Sequence, residues 1–245
     1  MNALSPQPDP ATAAALRALA RLIDYPGREL REALPELRTM LHAARDGGAC
    51  IAADRLAALD ATIAQIAAAD ALDAEAEYVR VFDSGRACSL HLFEHVHGDS
   101  RERGQALVDL RRSYEDVGLL LAPEELPDYL PVVLEFASTQ PPAEARAFLG
   151  ELVHILSAIH AALRRLQSAY AAVIAAVVEL AGERVTAVDA PAEPAIDALW
   201  EEPPAFDGCA SYGRRAPPPV SVDPVRLVGE ARRATLPSSR DGVMP

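Results

Sequence analysis

PPAEARAFLGELVHILSAIHAALRRLQSAYAAVIAAVVELAG, Pro141 to Gly182, decides the fold class of this chain. Phe148, Leu152, Ile155, Ile159, Leu163 and Leu166 recur at steps of three and four residues. That is the period of one face of an α-helix, so a helix is predicted over Ala143–Ser168. The next residues, Ala169 to Ala181, are apolar nearly all round until Glu179. They read as a second helix, the most deeply buried of all. Alanine and leucine dominate the apolar residues, whereas aromatic and β-branched residues are sparse, which favours helix over strand.

The same reading extends upstream. A helix over Ala11–Asp24 stops at Tyr25-Pro26-Gly27, and another runs from Arg28 to Arg45, with Pro35 marking a break or kink. A third covers Cys50–Ala69, where Leu56, Leu59, Ile63 and Ile66 share one face. A fourth covers Asp73–Phe82, and Asp83-Ser84-Gly85-Arg86 forms a turn. Asp99 followed by Glu102 fits a capped helix start. Leu107, Leu110, Tyr114 and Val117 then make a stripe that Gly118 and Pro123 close. Pro127 opens the next helix, with Leu130, Val133, Leu134 and Phe136 on its apolar side. No strand alternation of useful length occurs. Residues 1–182 are therefore expected to form a single all-α helical bundle. Residues 183–245, rich in proline and charge, read as a tail that is mostly disordered. A short motif at 196–206 interrupts it, with Ile196, Leu199, Phe206 and the chain's only tryptophan, Trp200.

The formal charge is −13, and all 23 basic residues are arginine. Such acidity argues against nucleic acid or an anionic membrane as partner and favours a basic polypeptide. Cys50, Cys88 and Cys209 lack the short spacing of a zinc or redox motif and read as free thiols of a reducing compartment. MNALSPQPDP has no charged start followed by an apolar run. The longest uninterrupted apolar run, Ala169–Val178, is half of the ~20 residues a membrane span needs. A soluble, cytoplasmic protein is expected.

The stretch FEHVHGDSRERGQ, Phe93 to Gln105, holds two histidines, three acids and two arginines, more polarity than a core requires. Two pairs, Glu94/His97 and Glu151/His154, have the Glu-x-x-His spacing of di-iron bundles. At about 100° per residue, however, His154 lies nearly opposite the Leu152–Ile155–Ile159 stripe and Glu151 lies off it, so both face water. Glu94/His97 abuts Gly98 at a helix end. His91, His95 and His97 present a second metal alternative. The preferred reading buries Phe93 and Val96 and lets the histidines bond to backbone and neighbouring carboxylates. No metal and no cofactor is assigned. No nucleophile elbow or phosphate-cradling glycine loop occurs, and Cys88 near His91 lacks an orienting third group. No catalytic residue is assigned, and an enzyme is not expected. Glu102, Asp109 and Asp116 recur every seven residues, with Glu115, Glu124, Glu125, Asp128 and Glu135 close by. They form either a solvated face or the acidic rim of an apolar groove that receives an arginine-bearing helix.

Tyr78-Val79-Arg80-Val81-Phe82-Asp83-Ser84-Gly85-Arg86, then SLHLFEHVHGDSRERGQALVDL from Ser89 to Leu110 and ELPDYLPVVLEF from Glu125 to Phe136, resemble the NarJ family. Leu22-Ile23-Asp24-Tyr25-Pro26 and Trp200-Glu201-Glu202-Pro203 agree less closely. These are assembly chaperones of respiratory nitrate reductase, once called its delta subunit. The wider TorD and DmsD relatives carry a Glu-Pro-x-Asp-His motif. Here Glu125-Leu126-Pro127-Asp128-Tyr129 stands in its place, with Tyr129 where those proteins have histidine. The resemblance implies a bundle of the TorD/NarJ type and an unfolded-protein-binding role in nitrate assimilation. The partner it implies is the apo catalytic (alpha) subunit of nitrate reductase, bound chiefly at its N-terminal leader-like segment. The chaperone would hold that subunit while the molybdenum cofactor is inserted, before membrane attachment. Contact with the molybdenum cofactor machinery itself stays open. Glu94, His95, His97, Asp99, Arg101, Glu102 and Arg103, with Glu125, Asp128 and Tyr129, are the candidate client-binding residues. A chaperone of another molybdoenzyme and a His-liganded metal-binding protein are the rival readings.

Overall fold

A computed structural model of the chain describes residues 7–98 and 100–186. These lie within one compact unit, residues 1–200. Of the expected tail only residues 183–186 are described; the rest of it, with the 196–206 motif, falls outside the described residues, as does Asp99.

Among the described residues the secondary structure is α-helical, with a single 3₁₀ turn at Arg86–Cys88 and no strand. Helix α1, Pro10–Leu22, starts where Asp9 accepts a hydrogen bond from the Thr12 N–H at 2.9 Å and Pro10 takes the first helical position. There its missing N–H forfeits nothing. The Thr12 hydroxyl and N–H also hold the Asp9 carboxyl below the usual range. Helix α2, Arg28–Asp46, turns Leu30, Leu34, Leu37, Leu41 and Ala44 inward. Pro35 stands exposed inside it, and the helix continues through it unbroken. Helix α3, Ala53–Ala68, and helix α4, Ala71–Phe82, follow, the latter capped by Asp70.

Helix α5, Leu92–His97, is short; helix α6 spans Glu102–Asp116, and helix α7 spans Leu130–Thr139. Two expected starts move. Arg101, not Asp99, occupies the N-cap of α6. Helix α7 begins three residues after Pro127, with Pro131 in its first turn. The reason lies in the Pro127 carbonyl, which accepts the Tyr114 hydroxyl at 2.8 Å, so that the backbone around it serves a loop.

Helix α8, Pro142–Arg165, and helix α9, Ala171–Leu180, are the pair that the opening stretch predicts. Val173, Ile174, Ala175, Ala176, Val177 and Val178 are all fully buried, so α9 is the central helix of the bundle. Helix α1 packs on α2 and α7, and α8 packs on α9. The α8 stripe holds at Ile155, Ile159 and Leu163, but Leu166 is exposed, because the helix ends at Arg165 and Gln167 turns the chain at φ 54°. Helix α8 is also long and apolar enough, by length and composition, to cross a membrane. Its packing against α7 and α9 within the bundle accounts for that apolar face.

Tyr78 organises the junction of α4 with α1 and α9. Its ring lies 4.7 Å from Phe82, 5.5 Å from Tyr25 and 5.9 Å from Tyr170, centroid to centroid. The Tyr25 and Tyr170 contacts are edge-to-face and the Phe82 contact is tilted; aromatic pairs of this kind add about 0.5–1.5 kcal/mol beyond burial. A smaller core of Tyr114, Val132 and Phe136 sits under α6. Tyr114 is the only fully buried residue of α6; Val117, expected on its apolar stripe, is exposed.

Candidate functional site

The residues before α5 and those before α7 run antiparallel for one bridge, His91 with Tyr129. The Leu92 N–H donates to the Asp128 carbonyl at 3.0 Å, and the Leu130 N–H donates to the Leu90 carbonyl at 2.9 Å. This clip joins two segments some 35 residues apart and brings the histidine stretch against the Glu125–Tyr129 motif.

Asp128 lies at its centre and is completely buried. One carboxylate oxygen, Oδ2, accepts the Phe93 N–H at 3.1 Å and lies 3.9 Å from Arg103 Nη2. The other, Oδ1, lies 3.6 Å from His91 Nδ1. Arg103 also meets Glu94 at 3.2 Å. Asp128 thus has one backbone donor on Oδ2 and two basic side chains within 4 Å, while its Oδ1, His91 Nδ1 and Arg103 Nε are buried with no hydrogen-bond partner among the described residues. The pairing offsets part of the cost of burying the charge. In this arrangement Asp128 fixes the clip and presents no surface.

The remaining candidates separate. His95 bonds through Nε2 to the Ser89 carbonyl at 2.9 Å, and His97 stacks edge-on to Phe93 at 5.6 Å. The histidines accordingly meet backbone, a carboxylate and a ring. Phe93 is partly buried, while Val96, expected inside, is 54% exposed, because α5 is too short to cover both of its faces. Arg101 and Glu102 are exposed at the start of α6. Glu151 and His154 are exposed on α8, as the helical arithmetic required. Among the described residues, no three His, Cys, Asp or Glu side chains converge as metal ligands would.

Glu125 and Tyr129 instead border a cleft of about 460 Å³. Its floor is Tyr78, Phe82, Leu90 and Tyr129; its rim carries Asp83, Glu124 and Glu125. The His91 ring stacks on Tyr129 at 5.2 Å. The Tyr129 hydroxyl donates to Asp24 Oδ1 at 3.2 Å and lies 3.3 Å from that of Tyr78, which in turn donates to the Ile23 carbonyl. Burial pushes the Tyr129 phenol up to about 12 and that of Tyr78 further, so both stay neutral donors at any working pH. Glu135 stands near. Partial burial and then the charges of Glu125 and Asp24 raise its carboxyl above the usual range, against the pull of Arg21 and Arg17. The acid density around the cleft is therefore a field as well as a contact set.

Sequence reasoning did not place Asp24, Tyr78, Phe82 or Asp83 in a site, whereas it read Glu124 as part of an acidic rim. The available signal was the recurrence of an aromatic beside an acid, Asp24-Tyr25 and Phe82-Asp83, within two of the five stretches on which the resemblance rests. An aromatic floor and carboxylate rim suit a cationic side chain on an apolar segment. Guanidinium over an aromatic face contributes about 0.5–2 kcal/mol, more as water is excluded. The rim carboxylates offer bidentate partners and speed association.

Comparison with known proteins gives the following. The sequence profile described as "Nitrate reductase delta subunit" matches residues 7–176. The chain is 37% identical over 195 residues to "Nitrate reductase molybdenum cofactor assembly chaperone NarJ" of Escherichia coli strain K12, covering 75% of this chain and 80% of that one. It is 42% identical over 141 residues to the "Probable nitrate reductase molybdenum cofactor assembly chaperone NarW" of the same strain, covering 54% and 61%. It is 30% identical over 154 residues to the protein named "Probable nitrate reductase molybdenum cofactor assembly chaperone NarJ" in Bacillus subtilis strain 168, covering 63% and 80%.

Proposed function

This chain belongs to the nitrate reductase delta subunit family, and from that premise we propose that it is an assembly chaperone of a respiratory nitrate reductase. It binds the apo catalytic subunit in the cytoplasm, at the N-terminal segment, and keeps it receptive while the molybdenum cofactor is inserted. It releases the subunit before membrane attachment. No covalent chemistry is required: a protein that binds only the immature form shifts its population by mass action.

The observation that carries the reading is the cleft between α4 and the Glu124–Tyr129 loop, with its floor of Tyr78, Phe82 and Tyr129 under Asp83, Glu124 and Glu125. Its chemistry is complementary to an amphipathic segment that carries arginine or lysine. Of the sequence candidates, Glu125 and Tyr129 are proposed to touch the client. Asp128, Arg103, Glu94 and His91 are proposed to hold the loop that presents them.

The test is calorimetric titration of the full chain with a synthetic peptide of the client's N-terminal segment. The Glu124→Lys/Glu125→Lys variant changes two exposed side chains and should weaken binding at least tenfold, about 1.4 kcal/mol. The salt dependence of the affinity should shrink with it. Unchanged affinity and salt dependence would refute the proposed cleft.

A further inference from the structure

A second cleft, of about 470 Å³, lies between α3 and the α8–α9 connection. Its charge reverses that of the chain. The whole protein carries −13, yet this cleft is lined by Arg55, His160 and Arg164 and by no carboxylate.

The three basic groups come from two helices about a hundred residues apart in sequence. Arg55 is held from outside the lining, through Nε to Glu179 at 3.0 Å. The second oxygen of Glu179 accepts the Ala52 N–H at 3.2 Å, which fixes that carboxylate. Arg164 is exposed, and its guanidinium has no ion-pair partner among the described residues. His160 is partly buried between them. Burial, then Arg55 and Arg164, push its imidazole below the ordinary histidine range, so each cation raises the energy of the next.

Gln65, Gln167 and Ser168 add neutral hydrogen-bonding groups to the same cleft. Gln167 is, among the described residues, the one non-glycine with positive φ. Its N–H donates to the Arg164 carbonyl and that of Ser168 to the Leu163 carbonyl, the helix ending in which glycine normally stands. A glutamine at this position sacrifices some stability and puts an amide at the cleft.

We propose that this cleft binds a small phosphate-bearing anion, gripped by the guanidinium groups of Arg164 and Arg55 with the amides of Gln65 and Gln167 completing the donor set. Planar guanidinium forks match tetrahedral oxyanions, and converging neutral donors serve an anion with several oxygens better than a lone carboxylate. The site shares no residue with the aromatic cleft and stands or falls independently of the chaperone reading.

The full chain is titrated with inorganic pyrophosphate, inorganic phosphate and acetate, followed by calorimetry and by the ring C–H resonance of His160, assigned with His160→Gln. Pyrophosphate should bind saturably and at least tenfold more tightly than acetate. It should also raise the titration midpoint of His160, since a bound anion offsets the neighbouring cations. Arg164→Glu should reduce pyrophosphate affinity at least tenfold, while Arg28→Glu, an equal charge change at an exposed position on α2, should alter it less than twofold. The proposal is overturned by absence of saturable binding, by equal losses in the two variants, by acetate matching pyrophosphate, or by an unmoved His160 titration at saturation.

Discussion

Replacing Asp128 with alanine should destabilise the protein by about 2–3 kcal/mol, although the residue stands in a loop. The Phe93 N–H loses a charged acceptor at 3.1 Å, and hydrogen bonds to charged groups contribute about 1.5–3 kcal/mol. Arg103 and His91 lose a neighbouring anion at 3.9 and 3.6 Å. The full ~3–5 kcal/mol for stranding a buried charge is not reached, because Arg103 keeps Glu94 at 3.2 Å and its side chain is 22% exposed. For a domain of this size, ~1 kcal/mol corresponds to a shift of roughly 2–4 °C in Tm, so a fall of about 4–12 °C is expected. Asp128→Asn keeps an acceptor for Phe93 and should cost about half as much. Urea unfolding followed by circular dichroism measures both variants. An alanine variant within ~0.5 kcal/mol of the parent would show that the clip does not depend on this carboxylate, and the assignment of Asp128 as a positioning residue would fall. A double-mutant cycle with Arg103→Ala should give a coupling of at least ~0.5 kcal/mol, as for groups in one network.

Glu135→Gln has a pH signature. The folded-state carboxyl is raised above its ordinary 4.5, so the native chain binds that proton before the unfolded chain does, and the charged form opposes folding at neutral pH. The variant should therefore be slightly more stable than the parent at pH 7, by less than about 1 kcal/mol at so exposed a site. The difference should close as pH falls through the 4.5 region, and thermal melts across that range would show it; a constant difference would not fit. Gln167→Gly relieves a left-handed side-chain conformation and should stabilise by ~0.5 kcal/mol after the added freedom of the unfolded chain is counted, measurable by urea unfolding.

Much of the fold was legible because periodicity is a local property. The α8 stripe and the all-round apolar α9 fixed the two helices of the centre, and the same arithmetic placed Glu151 and His154 in water. The errors arose where a distant partner overrides a local signal. Pro127 looked like a helix opener, but Tyr114, thirteen residues earlier, takes its carbonyl. Pro35 looked like a break, yet its exposed position lets α2 run through it. Val96 and Val117 had the right register and no neighbour to bury them. The candidate site divided for the same reason. Asp128 resembled its acidic neighbours in sequence, and only the pairing with Phe93 and Arg103 separates a buried anchor from the exposed rim. The aromatic floor was less visible still, because Tyr78, Phe82 and Tyr129 converge only after folding.

Tyr114 is the one fully buried residue among the fifteen of α6, and its hydroxyl is committed to the carbonyl of Pro127, immediately before Asp128. The phenol therefore acts as a latch with two attachments. If α6 swings away, the ring leaves its pocket and the neighbouring loop loses its tether in the same event. Local opening of α6 and loosening of the Glu124–Tyr129 loop thus become one cooperative step, reachable without unravelling the α8–α9 centre.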